Sequence, residues 1–208
     1  MLRIIAGSLK NRLLRVPKGS QTRPTSNMLR ESFFNICQTY IEEALFLDLY
    51  SGSGAMGIEA LSRGAAKATF VDACKESIVC IRENLKLLDI ENRSEIVTTP
   101  VEQALKRFVK QGRKFDLIFA DPPYSTKLTK SKNNKAESLL VIQFLNENQL
   151  LESQGRFFVE EGDFVLENFI PQNIEFLKIR TFGKSILLEF RALNSTYTEI
   201  NQQVVIHK

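Results

Sequence analysis

The sequence predicts an α/β protein: a doubly wound, mostly parallel seven-stranded sheet with an antiparallel edge strand, preceded by a small N-terminal β-hairpin and helix. From residue 44 onward, apolar runs of strand length alternate with stretches whose apolar residues recur at helical spacing. The run Phe115–Ala120 has no polar residue after Asp116, which is typical of a strand buried on both faces of a parallel sheet. The last two runs flank Phe182-Gly183-Lys184, which predicts a hairpin that closes the sheet.

The first part of the chain is predicted to form a hairpin and one helix. Arg3–Ala6 and Arg12–Val16 have strand composition and flank the turn at Gly7–Asn11. After a loop over Pro17–Thr25, apolar residues return at helical spacing: Leu29, Phe33, Ile36, Cys37, Tyr40 and Ile41. We expect residues 1–43 to pack on the core as an extension, residues 44–191 to form the core domain, and residues 192–208 to form a tail.

The core is predicted to alternate strands with helices. The expected strands are Leu45–Tyr50, Ala68–Asp72, Glu95–Thr98, Phe115–Ala120, Arg156–Glu160, Glu175–Thr181 and Ser185–Arg191. The expected helices end at Ser62, follow the apolar stripes Ile78–Leu88 and Leu105–Val109, and cover Ala136–Asn146. The tail is polar until Val204–Ile206, a stretch to which the pattern assigns no partner.

Composition favours one globular domain of ordinary polarity. The chain has 208 residues, of which 43% are hydrophobic and 25% are charged. No apolar run approaches the roughly 18 residues of a membrane span, and the N-terminus has no apolar signal segment. Cys37, Cys74 and Cys80 form no C-x-x-C pair, which indicates reduced thiols in a cytoplasmic protein. The single histidine, His207, excludes a histidine-dependent triad and a multi-histidine metal site, so we expect no metal.

Basic residues cluster in two acid-free stretches. The first thirty residues carry seven basic side chains and no acid: Arg3, Lys10, Arg12, Arg15, Lys18, Arg23 and Arg30. The second stretch contains Lys127, Lys130, Lys132 and Lys135. Such clusters are often solvated surface, but their positions at the chain start and beside a candidate site favour a footprint for nucleic acid phosphates.

A glycine-rich turn after the first core strand predicts a cofactor site. Gly52, Gly54 and Gly57 satisfy the G-x-G-x-x-G spacing, and Asp72 follows twenty residues after Gly52, where an acid binds ribose hydroxyls. Taken alone, this pattern describes a dinucleotide site and an S-adenosylmethionine site equally well. Asp48 precedes the turn and favours the second, because an acid is repelled by a pyrophosphate but attracted by ammonium and sulfonium groups.

The stretch Asp121-Pro122-Pro123-Tyr124 follows the buried strand and carries the candidate chemistry. Its prolines fix φ and stiffen the backbone at the carboxyl edge of the sheet, where ligands bind in such folds. A nucleobase amine is a weak nucleophile because its lone pair is delocalised into the ring. Asp121 and the Pro122 carbonyl are placed to accept its two hydrogens and free that pair, with Tyr124 stacked on the base for about 1–3 kcal/mol. The alternative interpretation is a rigid surface turn.

The motifs resemble those of the RsmD family. Asp48-Leu49-Tyr50-Ser51-Gly52-Ser53-Gly54 with Asp121-Pro122-Pro123-Tyr124 is similar to class I S-adenosylmethionine-dependent amino-methyltransferases. The narrower resemblance runs from Arg3 to about Arg191 and is carried by Arg3-Ile4-Ile5-Ala6-Gly7, Arg23-Pro24-Thr25, Arg30-Glu31-Ser32-Phe33-Phe34-Asn35 and Gly57-Ile58-Glu59-Ala60-Leu61-Ser62-Arg63-Gly64. It implies a Rossmann-like fold, S-adenosyl-L-methionine as cofactor, and methylation of a guanine N2 in 16S ribosomal RNA, within a small-subunit assembly particle. We expect a monomer.

Residues and resemblance together give the expected site. The catalytic residues are Asp121, Pro122, Pro123 and Tyr124. The cofactor residues are Asp48, Tyr50, Ser51, Gly52, Ser53, Gly54, Asp72, Val101, Arg23 and Thr25. The RNA-binding residues are Arg3, Lys10, Arg12, Arg15, Lys127, Lys130 and Lys132. The chain departs from the family at Pro100, where a polar or acidic residue commonly contacts adenine, so the Val101 N–H is the expected substitute, and at Cys74, where a second acid is frequent.

Three other functions fit parts of the pattern. A DNA adenine-N6 methyltransferase uses the same Asp-Pro-Pro-Tyr stretch, but the sequence has no separate segment large enough for sequence-specific DNA readout. A protein-glutamine methyltransferase is disfavoured by the basic N-terminus. A non-catalytic RNA-binding assembly factor with this fold is disfavoured by the intact Asp121.

Overall fold

Strands and helices alternate along most of the chain. The structure is a computed structural model that describes residues 2–17, 27–123, 137–162, 166–183, 185–193 and 204–206. Its strands are β1 (Leu2–Arg3), β2 (Leu13–Leu14), β3 (Leu45–Leu49), β4 (Lys67–Asp72), β5 (Ser94–Thr98), β6 (Phe115–Ala120), β7 (Leu151–Glu161), β8 (Leu166–Phe169), β9 (Ile174–Phe182), β10 (Ser185–Ala192) and β11 (Val204–Ile206). Its α-helices are α1 (Asn27–Ile36), α2 (Ala55–Ser62), α3 (Lys75–Leu88), α4 (Val101–Lys110) and α5 (Glu137–Glu147).

The central sheet has seven strands in the order β5-β4-β3-β6-β7-β10-β9. The first five are parallel, and β10 runs antiparallel to both β7 and β9. The predicted fold class, a doubly wound sheet with an antiparallel edge, is therefore confirmed. Chain order reverses between the neighbours β3 and β6, so their carboxyl ends form the crevice where such sheets bind ligands.

Both faces of the sheet are covered, which explains the continuous apolar strands. Along β6, Leu117 and Phe119 contribute to the core on the face of α1, α2 and α3. Ile118 and Ala120 contribute to the core on the face of α4 and α5. The period-two alternation of strand side chains sends neighbours to opposite faces, so a central strand such as β6 needs apolar residues at nearly every position.

Element boundaries differ from the predictions where tertiary packing decides them. Helix α1 ends at Ile36 instead of Ile41, although Tyr40 and Ile41 still pack on its core, which is why the apolar stripe continues past the helix. Strand β7 begins at Leu151, five residues earlier than the predicted start at Arg156. The prediction missed this part because the exposed polar residues there show no strand pattern. The short antiparallel pair of β8 and β11 was not predicted, and it gives Val204–Ile206 a partner strand.

The N-terminal hairpin interlocks with the end of α2. Gly7 has φ of 84°, and a Cβ there would lie 1.8 Å from the Ser62 carbonyl oxygen, so only glycine permits this approach. The buried Glu59 carboxylate accepts hydrogen bonds from the Ile5 and Ala6 N–H groups, at 2.8 and 2.9 Å. Ser62 Oγ donates to the Ala6 carbonyl at 2.6 Å. Two of the segments that carry the family resemblance, the one ending at Gly7 and the one beginning at Gly57, therefore meet in one interface.

Candidate active site

The glycine-rich turn lies at the carboxyl end of β3 and opens α2. Gly52 and Gly54 have positive φ values of 53° and 77°, which an L-residue adopts with strain. A Cβ on Gly57 would lie 2.3 Å from the Phe70 ring, so helix α2 can pack closely on β4 only with glycine there. Ser51 Oγ donates to the Asp48 carbonyl at 2.7 Å and accepts from the Val71 N–H at 2.9 Å, which anchors the turn between the two strands.

The Asp72 carboxylate fixes the same turn from the end of β4. Its Oδ2 accepts from the Gly52 N–H and its Oδ1 from the Cys74 N–H, both at 2.8 Å. Each carboxylate oxygen has two lone pairs, so one on each remains to accept a ribose hydroxyl. Cys74, which stands where the family often has a second acid, contributes its backbone N–H to this arrangement.

Asp48 is a buried acid directly beneath the turn. Its side chain is only 2% exposed, and Oδ2 accepts a hydrogen bond from the Gly57 N–H at 2.9 Å. Burial raises the pKa of the Asp48 carboxyl well above its usual range, the Gly57 hydrogen bond opposes this, and the Asp121 and Asp72 carboxylates raise the pKa further. Three acids thus meet at this edge of the sheet, and a cationic ligand bound among them would favour the ionised form of Asp48.

Asp121 stands at the end of β6, next to the turn. Its backbone N–H reaches the Leu49 carbonyl at 3.4 Å, so the ladder between β3 and β6 continues to this residue. Pro122 and Pro123 follow and offer no N–H, which ends the ladder. Pro122 is buried and Asp121 is partly exposed. Tyr124, the last residue of the motif, lies outside the described residues.

Two other predicted cofactor residues border the crevice. Tyr50 has φ of 60°, uncommon for an aromatic residue, and its hydroxyl donates to Glu137 Oε2 at 2.7 Å. Burial raises the pKa of the Tyr50 phenol, and Glu137 raises it further, so the hydroxyl stays protonated. Val101 is the first residue of α4 after the N-cap Pro100, where helix N–H groups have no partner within the helix. That position suits the expected backbone contact to adenine.

Four predicted RNA-binding residues of the N-terminal region lie on the surface, whereas Arg30 of the same basic stretch is fully buried. Arg30 donates to the Arg3 carbonyl at 2.6 Å, so its inclusion in an exposed phosphate footprint was wrong. Arg3, Lys10, Arg12 and Arg15 are all exposed. Arg12 donates to the Leu87 carbonyl at 3.2 Å, and Arg15 pairs with Glu83, so both follow helix α3. The remaining predicted site residues lie outside the described part of the chain: Arg23, Thr25, Lys127, Lys130 and Lys132.

Sequence reasoning missed Glu59 and Asn84, two buried polar residues that hold the region together. Each has an exposed fraction of 0% and hydrogen-bonds residues of the N-terminal region. Asn84 also interrupts the apolar stripe of α3, between Ile81 and Leu85. A polar residue on the buried face of an amphipathic helix needs a partner, and that was the available signal.

The described residues contain neither a metal cluster nor a membrane-spanning helix. Within them, no group of three or more histidine, cysteine, aspartate or glutamate side chains is arranged to hold a metal ion. No helix there is long and apolar enough to cross a membrane.

The comparisons with known proteins agree with this geometry. The family described as conserved hypothetical protein 95 matches residues 2–191. "Putative rRNA methyltransferase YlbH" of Bacillus subtilis is 38% identical over 173 residues, 83% of this chain and 88% of that protein. "Ribosomal RNA small subunit methyltransferase D" of Haemophilus influenzae is 34% identical over 186 residues, 88% of this chain and 89% of that protein. The solved structure of "Putative methyltransferase yhhF" from Escherichia coli aligns with a TM-score of 0.72 at 29% identity, over 92% of this chain and 97% of that one.

Proposed function

The chain belongs to the RsmD family, described as conserved hypothetical protein 95, and from this premise we propose that it methylates the N2 amino group of a guanine in 16S ribosomal RNA, with S-adenosylmethionine as methyl donor. The observation that carries the proposal is the meeting of Asp121, Asp48 and the glycine-rich turn at the carboxyl ends of β3 and β6. A cofactor turn and a candidate acceptor for an amine thus share one crevice, at the point where the strand order reverses.

The cofactor residues suit S-adenosylmethionine, which supplies an electrophilic methyl group on a sulfonium centre. Asp72 has lone pairs left for the ribose hydroxyls. The first turn of α4 at Val101 offers backbone N–H groups for adenine. A bound cationic group would favour the ionised form of the buried Asp48 and be stabilised by it, whereas the pyrophosphate of a dinucleotide would disfavour that form.

The acceptor side depends on Asp121 and the Pro122 carbonyl. Each accepts one hydrogen of the guanine N2, which shifts the nitrogen towards tetrahedral geometry and frees its lone pair. Bound S-adenosylmethionine would supply the methyl group. The N2 lone pair would form the new N–C bond as the electron pair of the carbon–sulfur bond goes to sulfur, and the proton released from nitrogen would pass through the Asp121 carboxylate to solvent. The protein contributes positioning and fixed charges, without a covalent enzyme intermediate. A paired guanine would hide this nitrogen, so the target is unpaired or flipped out.

The test is nucleotide mapping by mass spectrometry of 16S ribosomal RNA from cells with and without the gene. We expect one N2-methylguanosine to disappear without the gene, and purified protein with labelled S-adenosylmethionine to restore it. An unchanged set of methylguanosines would contradict the proposal. Loss of an N6-methyladenine from DNA in the same cells would support the adenine methyltransferase instead.

A further inference from the structure

The side-chain amide of Asn84 on α3 hydrogen-bonds two separate segments of the chain. Its Oδ1 accepts from the Arg15 N–H at 2.8 Å, and its Nδ2 donates to the Arg15 carbonyl at 3.0 Å. The same Nδ2 donates to the Ser53 carbonyl, also at 3.0 Å. Because the Arg15 N–H can only donate, it fixes which end of the amide is the oxygen.

The two segments are the ones to which the proposed function assigns the two substrates. We call residues 2–17 the arm, which carries the exposed basic residues, and residues 51–57 the cofactor turn. Ser53 lies between Gly52 and Gly54 at the tip of the cofactor turn. The Asn84 amide pairs with both the N–H and the carbonyl of Arg15, as the backbone of a neighbouring strand does. The second hydrogen on its Nδ2 bonds the Ser53 carbonyl of the cofactor turn.

An asparagine amide can both donate and accept hydrogen bonds, which the contacts to Arg15 and Ser53 require. Asn84 is fully buried on a helix face formed mostly by apolar residues, where an unpaired amide is costly. An aspartate there could not donate to the two carbonyls, and a leucine could neither donate nor accept. Other buried residues also tether the arm. On α2, Glu59 and Ser62 bond Ile5, Ala6 and Leu9. Arg30 of α1 donates to the Arg3 carbonyl at 2.6 Å, and Cys80 Sγ of α3 donates to the Arg15 carbonyl at 3.3 Å.

We propose that Asn84 is a positioning residue that couples the cofactor turn to the arm, so that cofactor and RNA each bind more tightly when the other is bound. The inference rests on the proposed function. When cofactor orders the turn, the Ser53 carbonyl fixes the amide, and the amide fixes Arg15. By linkage the coupling factor is the same in both directions, and factors of about 5–150 are usual for such pairs of sites.

The first experiment needs no variant. Hydrogen exchange of the wild-type protein is measured with and without S-adenosylhomocysteine. We expect the cofactor product to slow exchange at the Arg15 amide, which Asn84 holds, and to leave the Ile5 and Ala6 amides, which Glu59 holds, unchanged. Unchanged exchange at Arg15 under saturating S-adenosylhomocysteine would overturn the inference.

The second experiment measures the coupling factor itself. Affinity for S-adenosylhomocysteine is determined by calorimetry with and without small-subunit ribosomal particles that lack the methyl group. We expect the particles to raise the affinity of the wild-type protein for S-adenosylhomocysteine by at least about fivefold, and we call this ratio of affinities the gain. Asn84→Leu should reduce the gain to about one while each ligand alone still binds. Glu83→Gln breaks the exposed ion pair to the Arg15 side chain one position away and should keep the wild-type gain.

The outcomes separate the inference from the proposed function. A wild-type gain of one, or a full gain retained in Asn84→Leu, overturns the coupling although both ligands bind. Wild-type protein that binds no S-adenosylhomocysteine overturns the proposed function itself, and the coupling with it.

Discussion

The burial of Asp48 is unfavourable for the fold, and the proposed function gives this acid a role beside the cofactor. Burial raises the pKa of its carboxyl, and the acids Asp121 and Asp72 add to the effect. Between the unfolded and folded pKa values, the native state holds a proton that the unfolded state has lost. Stability therefore falls as pH rises through that window, by at most about 1.4 kcal/mol per pH unit for one proton.

Asp48→Asn should remove this penalty, because an amide oxygen still accepts from the Gly57 N–H without a charge. We expect urea unfolding to show equal or slightly lower stability than wild type near pH 4. As pH rises towards 7, the unfolding free energy of the variant should increase relative to that of wild type. Its affinity for S-adenosylmethionine should be lower than that of wild type. Parallel stability profiles of the two proteins would show that Asp48 does not titrate as described.

The sequence located residues whose neighbours are close along the chain and missed those whose partners are distant. Glycines at fixed spacing with Asp72 define the cofactor turn because strand, turn and helix are consecutive. Asn84 contacts Arg15, 69 positions away, and Ser53, 31 positions away. Periodicity gives no information on contacts of that range, so only the fold reveals them.

At the scale of elements, the interface between the arm and α2 depends on close backbone approach. Gly7→Ala would place a Cβ 1.8 Å from the Ser62 carbonyl oxygen, at a φ of 84°. We expect a loss of about 2–4 kcal/mol in unfolding free energy, since both overpacking and strain contribute. Limited proteolysis should also cut within the arm first.

Gly112 provides the matched control for that prediction. It has a positive φ of 63°, but a Cβ there meets nothing within 4 Å. Gly112→Ala should therefore cost only about 1–2 kcal/mol of backbone strain. Equal losses in the two variants would mean that the close contact at Gly7 contributes nothing.

The parallel core was predictable element by element, whereas the edges of the fold were not. Buried strands such as β6 have nearly uniform apolar composition, and their bounds followed from it. Strand β7 starts with exposed polar residues, and β8 and β11 pair across a long sequence separation. Short or exposed strands owe their structure to a partner, which local composition does not specify.

At the scale of the whole molecule, the arm places positive charge along the surface of α3. Arg12 and Arg15 are exposed and lie along α3, and Arg15 also reaches the cofactor turn through Asn84. Replacing both arginines with glutamine should weaken RNA binding and reduce the log–log salt slope by about one to two units. Filter binding over a salt series measures this, and affinity for S-adenosylhomocysteine alone should not change. An unaltered salt slope would make the arm a structural element without phosphate contacts.

Asp121 is the residue to which the proposed function assigns a part in methyl transfer. The most direct measurement is single-turnover methylation of unmethylated small-subunit particles at saturating S-adenosylmethionine. Asp121→Ala should slow the reaction by on the order of a hundredfold or more, the usual cost of losing a preorganised electrostatic partner. Asp121→Asn should lose less, because its amide oxygen still accepts one hydrogen bond.

Asp116 serves as the control on the same strand. Its carboxylate accepts from the Leu45 N–H at 2.8 Å, at the opposite end of β6, so Asp116→Asn should react at the wild-type rate. A folded Asp121→Ala protein with the wild-type single-turnover rate would contradict the account, because the carboxylate would then have no part in the chemistry.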